Sequence, residues 1–168
     1  FKFISRSIGM NLLKYEFVSR YGGNIRVFIG KGDDLAENIE EENFNEKFKE
    51  MVFKLKEWKN NTRKKIISLN AKYGPIKAKA FPGRAAILVK LLNLNQNNIE
   101  AVYEIRGSKK VFHYVPGTKI PILPEEELYK SNLNQKILNL AWHIPEEVEK
   151  NLRNNNFVGE IINIKKFI

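Results

Sequence analysis

The chain has 168 residues, 43% of them hydrophobic, enough for one domain with a small extension and a buried core. It contains no cysteine and two histidines, His113 and His143, so disulfides, thiolate metal sites and cysteine nucleophiles are excluded and no metal site is expected. A net charge of +10, from 29 basic and 19 acidic residues, favours an anionic partner, and no apolar run reaches the roughly 20 residues of a membrane span.

No signal-peptide pattern opens the chain, so a cytoplasmic setting is expected. It begins at Phe1 and runs straight into "FKFISRSIGMNLL", as though cut from something longer. Residues 11–18 ("NLLKYEFV") and 25–29 ("IRVFI") read as two strands around "SRYGGN", whose glycines predict a hairpin turn. From about Asn38 to Leu69, Phe44, Phe48, Met51, Leu55, Trp58, Ile66 and Leu69 recur at helical spacing. This predicts a long amphipathic helix whose apolar stripe packs into the core, with a break near 60–62. The basic run within it, residues 47–65, mixes acids with lysines and reads as a solvated face rather than a nucleic-acid footprint.

Beyond "AKYGP" the texture changes to strands alternating with helices: strand 76–81, helix 83–94, strand 99–105, strand 119–123, helix 124–130, strand 136–142, helix 145–154 and strand 158–164. That alternation predicts βαβ units and an α/β, Rossmann-like three-layer domain with a mostly parallel sheet, preceded by a β-hairpin and the long helix. The expected division is 1–35 for the hairpin extension and 36–168 for the Rossmann-like domain. In such sheets ligands bind where strands run out into helices.

Four strand ends therefore carry the candidate residues. In "AFPGRAA", Phe81, Pro82, Gly83 and Arg84 lead into a helix whose amides and arginine either receive an anion or are simply a helix start with a solvated side chain. In "YEIRGSKK", Glu104 stands about where an acid takes ribose hydroxyls in dinucleotide folds, or else pairs with a neighbouring lysine; Gly107, Ser108 and Lys110 follow it. In "HYVPGTKIPI", Tyr114, Pro116, Gly117 and Thr118 form a loop that either offers a hydroxyl to a ligand or only turns the chain. In "LAWHIPEE", Trp142 stacks on a base or sugar and His143 meets phosphate or moves a proton, or both are structural. Neither a G-x-G-x-x-G nor a P-loop pattern is present.

Taken in order, these segments resemble the C-terminal domain of the S-adenosylmethionine-dependent sugar C-methyltransferases. "GMNLLKYEFVSRYGGNIRVFI" is similar to a family stretch with a Gly-Gly-x-x-Arg turn, here Gly22, Gly23 and Arg26, with Tyr21 where the family usually has histidine. "AFPGRAAIL" is similar to a segment that opens Gly-Ala, replaced here by Ala80 and Phe81. "VPGTKIPI" resembles a Pro-Gly-Thr-x-Ile-Pro signature, and "LAWHIPEEV" a Leu-Ala-Trp-Asn segment with His143 in place of asparagine. The resemblance implies an accessory, non-catalytic domain that helps hold a nucleotide-sugar substrate. S-adenosylmethionine and the catalytic groups then belong to an upstream domain, and residues 1–35 are its tail. Arg84 would contact the diphosphate, Glu104 a sugar hydroxyl, and Phe81 would narrow the pocket or close it. From the residues alone, the alternatives are a stand-alone Rossmann-like nucleotide- or CoA-binding module without enzyme activity and, more remotely, a basic nucleic-acid binder.

Overall fold

A computed structural model describes residues 1–19, 23–35 and 43–164. The chain divides into two compact units, Phe1–Lys47 and Phe48–Ile168.

In the first unit a short helix, α1 (Lys2–Ser7), precedes β1 (Asn11–Val18) and β2 (Asn24–Gly30). No element was expected at α1, and its six residues are too few to show a periodicity. The two strands pair antiparallel from Asn11↔Gly30 to Val18↔Asn24, as the predicted hairpin requires. Gly23 lies in the left-handed region at φ 113°, while Tyr21 and Gly22 of the expected turn lie outside the described residues. Asp34 closes the unit by accepting the Leu12 amide at 3.1 Å and the Arg6 guanidinium at 2.6 Å.

The second unit is built on a five-stranded parallel sheet. Its strands are β3 (Ile76–Lys79), β4 (Ile99–Glu104), β5 (Ile122–Pro124), β6 (Ile137–Asn139) and β7 (Ile161–Asn163), in the order β5-β4-β3-β6-β7. All four pairings are parallel, with helices α3 (Gly83–Leu91), α4 (Glu125–Tyr129) and α5 (Pro145–Asn154) in the connections. Side chains alternate across the sheet into two cores. Ile76, Ala78, Val102 and Leu138 join Ile66, Ala85, Leu88 and Val89 on one face. Ala101, Tyr103 and Ile137 join Leu128, Val148 and Leu152 on the other. Helices thus cover both faces of a parallel sheet, which is the three-layer α/β architecture expected.

Helix α2 (Phe44–Tyr73) differs from the expectation in two ways. It runs without a break through 60–62, where Thr62 is fully buried. Its apolar stripe is only half used: Trp58, Ile66 and Leu69 pack on the sheet, but Phe44, Phe48, Met51 and Leu55 are exposed. The reason is length. Thirty helical residues extend about 45 Å, whereas strands of three to six residues span about 10–20 Å. No described helix is long and apolar enough to cross a membrane.

Candidate functional site

From β3 the chain winds through α3 to β4 and on to β5, while β6 and β7 lie on the other side of β3. The direction of winding therefore reverses between β3 and β6, and their carboxyl-end loops lead to helices on opposite faces of the sheet, α3 on one and α5 on the other, the arrangement at which α/β sheets form a ligand crevice. The β3 loop carries Phe81–Arg84 and the β6 loop carries Trp142 and His143.

The β3 loop is clamped in place. Ala80, directly after the strand, has φ 64°, a left-handed conformation that ends the extended run two residues before the predicted boundary. Its amide donates to Tyr103 O at 3.0 Å. The next amide, of Phe81, donates to Glu104 Oε1 at 2.7 Å. Glu104, 7% exposed at the end of β4, also accepts the Ser108 hydroxyl at 3.1 Å and lies 3.6 Å from Lys110 Nζ. Lys110 closes the ring by donating to Phe81 O at 2.6 Å. Gly107, at φ 80°, makes the turn that returns Ser108 to Glu104. Three of the four strand-end segments thus supply one constellation or border it, and Glu104 serves there as the anchor of the Phe81 backbone.

The Phe81 ring is buried in the core cluster with Ala85 and Leu88, so its bulk fills the interior rather than the crevice. Pro82 is the N-cap of α3 and offers no side-chain hydrogen bond to its first amides. Gly83 opens the helix with no atom within 4 Å of where a Cβ would stand, so the approach to the helix start is open, and Arg84 beside it is exposed. The Arg84 charge reaches His143 across the crevice. Burial first, and this guanidinium second, hold the His143 imidazole below its ordinary pKa, against a smaller opposing pull from Glu147. The Trp142 ring stands edge-on to His143, with centroids 5.5 Å apart, and packs on the core.

The remaining segment goes elsewhere. Phe112 N donates to Ile122 O, Val115 N to Ile120 O and Thr118 N to Val115 O, so residues 112–122 form a hairpin with Pro116-Gly117 at its tip. Gly117 at φ 74° suits the third position of a type II turn. Thr118 Oγ1 donates to Val115 O at 2.8 Å and accepts Ile120 N at 3.1 Å. The register carries this tip back toward the amino-terminal edge of the sheet, and exposed Tyr114 bridges to Pro121.

The sequence model of the C-methyltransferase C-terminal domain matches residues 19–162. The chain belongs to that family. No curated protein matches it.

Within this C-methyltransferase C-terminal domain, two polar residues escaped the sequence reading. Lys79, the last residue of β3, is 2% exposed and bonds Glu125 Oε2 at 2.5 Å. The Tyr129 hydroxyl adds a 3.2 Å bond to the same oxygen and one of 3.1 Å to Asn151, and burial beside Glu125 pushes the phenol's pKa up. Asn139, fully buried at the end of β6, accepts Ala141 N at 2.8 Å and donates to Asn163 at 2.8 Å, which aims the Trp142–His143 loop. The signal for Lys79 was available: "IKAKAF" places lysines at alternate positions of a strand whose both faces are covered, so one must find a buried partner.

Proposed function

We propose that this domain holds a nucleotide-linked sugar for an S-adenosylmethionine-dependent C-methyltransferase and does not transfer the methyl group itself. The observation that carries the reading is the placement of Arg84 at the uncapped, open start of α3, on the loop beside the one that carries Trp142 and His143, since β3 and β6 are paired. A diphosphate there would meet the Arg84 fork and the uncapped start of α3, where helix amides favour negative charge. Trp142 supplies a partly buried apolar wall for a base or sugar face. Neutral His143 can donate one hydrogen bond without adding a second charge. Glu104, which the resemblance links to a sugar hydroxyl, acts in this reading as a positioning residue through the Phe81 amide.

The chain's own residues do not fit S-adenosylmethionine. The turn after β3 has Ala80 and a buried Phe81 where a glycine loop would admit the cofactor, and Glu104 is engaged by Phe81 and Ser108. We therefore assign the cofactor and the catalytic base to an upstream domain, in a cytoplasmic setting. Residues 1–35 read as the tail of that domain. A two-stranded sheet is marginal by itself, and Phe17 on this one and Phe3 on α1 are at least 80% exposed.

In the complete enzyme, Arg84→Ala should raise KM for the nucleotide sugar about tenfold, one tenfold step corresponding to ~1.4 kcal/mol of lost contact. Titration of the 168-residue chain should show the same loss for a nucleoside diphosphate sugar and none for the free nucleoside. Unchanged affinity would remove Arg84 from the site. Tighter binding of CoA than of nucleotide sugar would favour the stand-alone module instead.

A further inference from the structure

A second concavity, of about 410 Å³, opens at the opposite edge of the sheet, across the amino ends of β3, β4, β6 and β7. Tyr73, Lys77, Glu100, Asn134, Lys136 and Glu160 line it, and none of the residues of the β3–β6 crevice does. Its size lies within the roughly 300–1,000 Å³ usual for small-molecule sites.

Two local features build its walls. Ile76 faces Ile99 while Ala78 faces Val102, so Glu100 and Ala101 stand opposite the single Lys77. Such a bulge re-aims a side chain at a sheet rim; Ile99 and Val102 enter one core, Ala101 the other, and Glu100 is left exposed in the cleft. On the far side Gly159 permits a backbone contact that no other residue would, since a Cβ there would stand 1.9 Å from Gln135 O. Leu133 O accepts both Val158 N at 3.1 Å and Gly159 N at 2.9 Å, which clamps residues 133–136 beside Glu160.

The lining chemistry selects the ligand. Lys136 contacts Glu160 and sits 5.2 Å from the Tyr73 ring centroid, and Lys77 donates to the Ser131 hydroxyl at 3.0 Å. Two lysines and two glutamates leave the cleft without net charge. An anion would meet Glu100 and Glu160, and a cation would meet Lys77 and Lys136. What the cleft offers is alternating hydrogen-bond capacity: the Glu100 carboxylate accepts, the Asn134 amide donates and accepts, and each ammonium has further N–H groups, all beside an aromatic ring. We propose that this cleft is a second ligand site, taking a neutral polyhydroxylated ring, such as a hexose unit, independently of the nucleotide-sugar reading of the other edge.

A methyl hexoside, glycine and inorganic phosphate, titrated separately into the 15N-labelled 168-residue chain, test this directly. The hexoside should give saturable amide shifts at residues 100, 133–136 and 160. Glu100→Gln and Asn134→Ala should each weaken it about tenfold, both side chains being exposed and their loss leaving the rest of the spectrum in place. Arg84→Ala should leave hexoside binding unchanged. Absence of saturable shifts at those residues, hexoside affinity in the two variants unchanged from that of the unsubstituted chain, or tighter binding of glycine or phosphate would overturn the proposal.

Discussion

Ala80 holds the conformation on which the candidate site turns, and it does so with the wrong side chain. At φ 64° a Cβ crowds the neighbouring carbonyl, at a cost of about 1–2 kcal/mol. The family resemblance puts glycine at this position, and the geometry supplies the reason. Ala80→Gly should therefore stabilise the protein by about 0.5–1 kcal/mol, the strain relieved less the ~0.4–1 kcal/mol of extra chain entropy glycine adds to the unfolded state. Urea denaturation would detect it, and a loss of stability would contradict the strain. His143 yields a pH dependence. Its pKa is lowered in the folded state by burial and by Arg84, so the unfolded chain binds more protons near the ordinary value of 6.5. Stability should be full above that value and fall as pH drops through it toward the folded pKa. Arg84→Ala should move the imidazole titration upward in an NMR pH series. Neither effect was visible in the letters "AFPGRAAIL" and "LAWHIPEE", because a backbone angle and a charge across a crevice belong to the folded chain.

At the scale of elements, β3 is the piece on which the rest converges. Its even positions feed one core, and its odd positions turn Lys77 and Lys79 toward the other face. The Lys79–Glu125 pair ties the carboxyl end of β3 to the start of α4, with Tyr129 extending it to α5. Removing one partner leaves the other charge buried, which typically costs about 3–5 kcal/mol. Lys79→Met should lose about that much by chemical denaturation, and Lys79→Met with Glu125→Gln should recover most of it. An additive double variant would show that the two residues are not coupled. Helix α2 was readable as a helix over nearly its full length because 3.6-residue periodicity is a local property. Which half of its stripe is buried depended on how far the sheet reaches, and the strands are too short to reach Phe48 or Met51.

At the scale of the molecule, the order of elements in the second unit was legible from punctuation and hydrophobic runs, and so were its parallel sheet and the strand ends that carry the candidate residues. Local composition and spacing suffice for that, since a strand covered on both faces needs a continuous apolar run and a connecting helix needs a period and a start signal. The segments between Gly9 and Val148, taken in chain order, also carried the family, which the match over 19–162 establishes. Strand order was not in the sequence. Only the tertiary structure decided that β3 lies between β4 and β6, and so which loops share a crevice. That order set the Arg84 loop beside the His143 loop, bound Glu104 to the Phe81 amide and sent the Pro-Gly-Thr tip back toward the other edge. The physical reason is that pairing between distant strands is settled by packing the whole core at once, whereas helices, turns and strand ends are settled by their immediate neighbours.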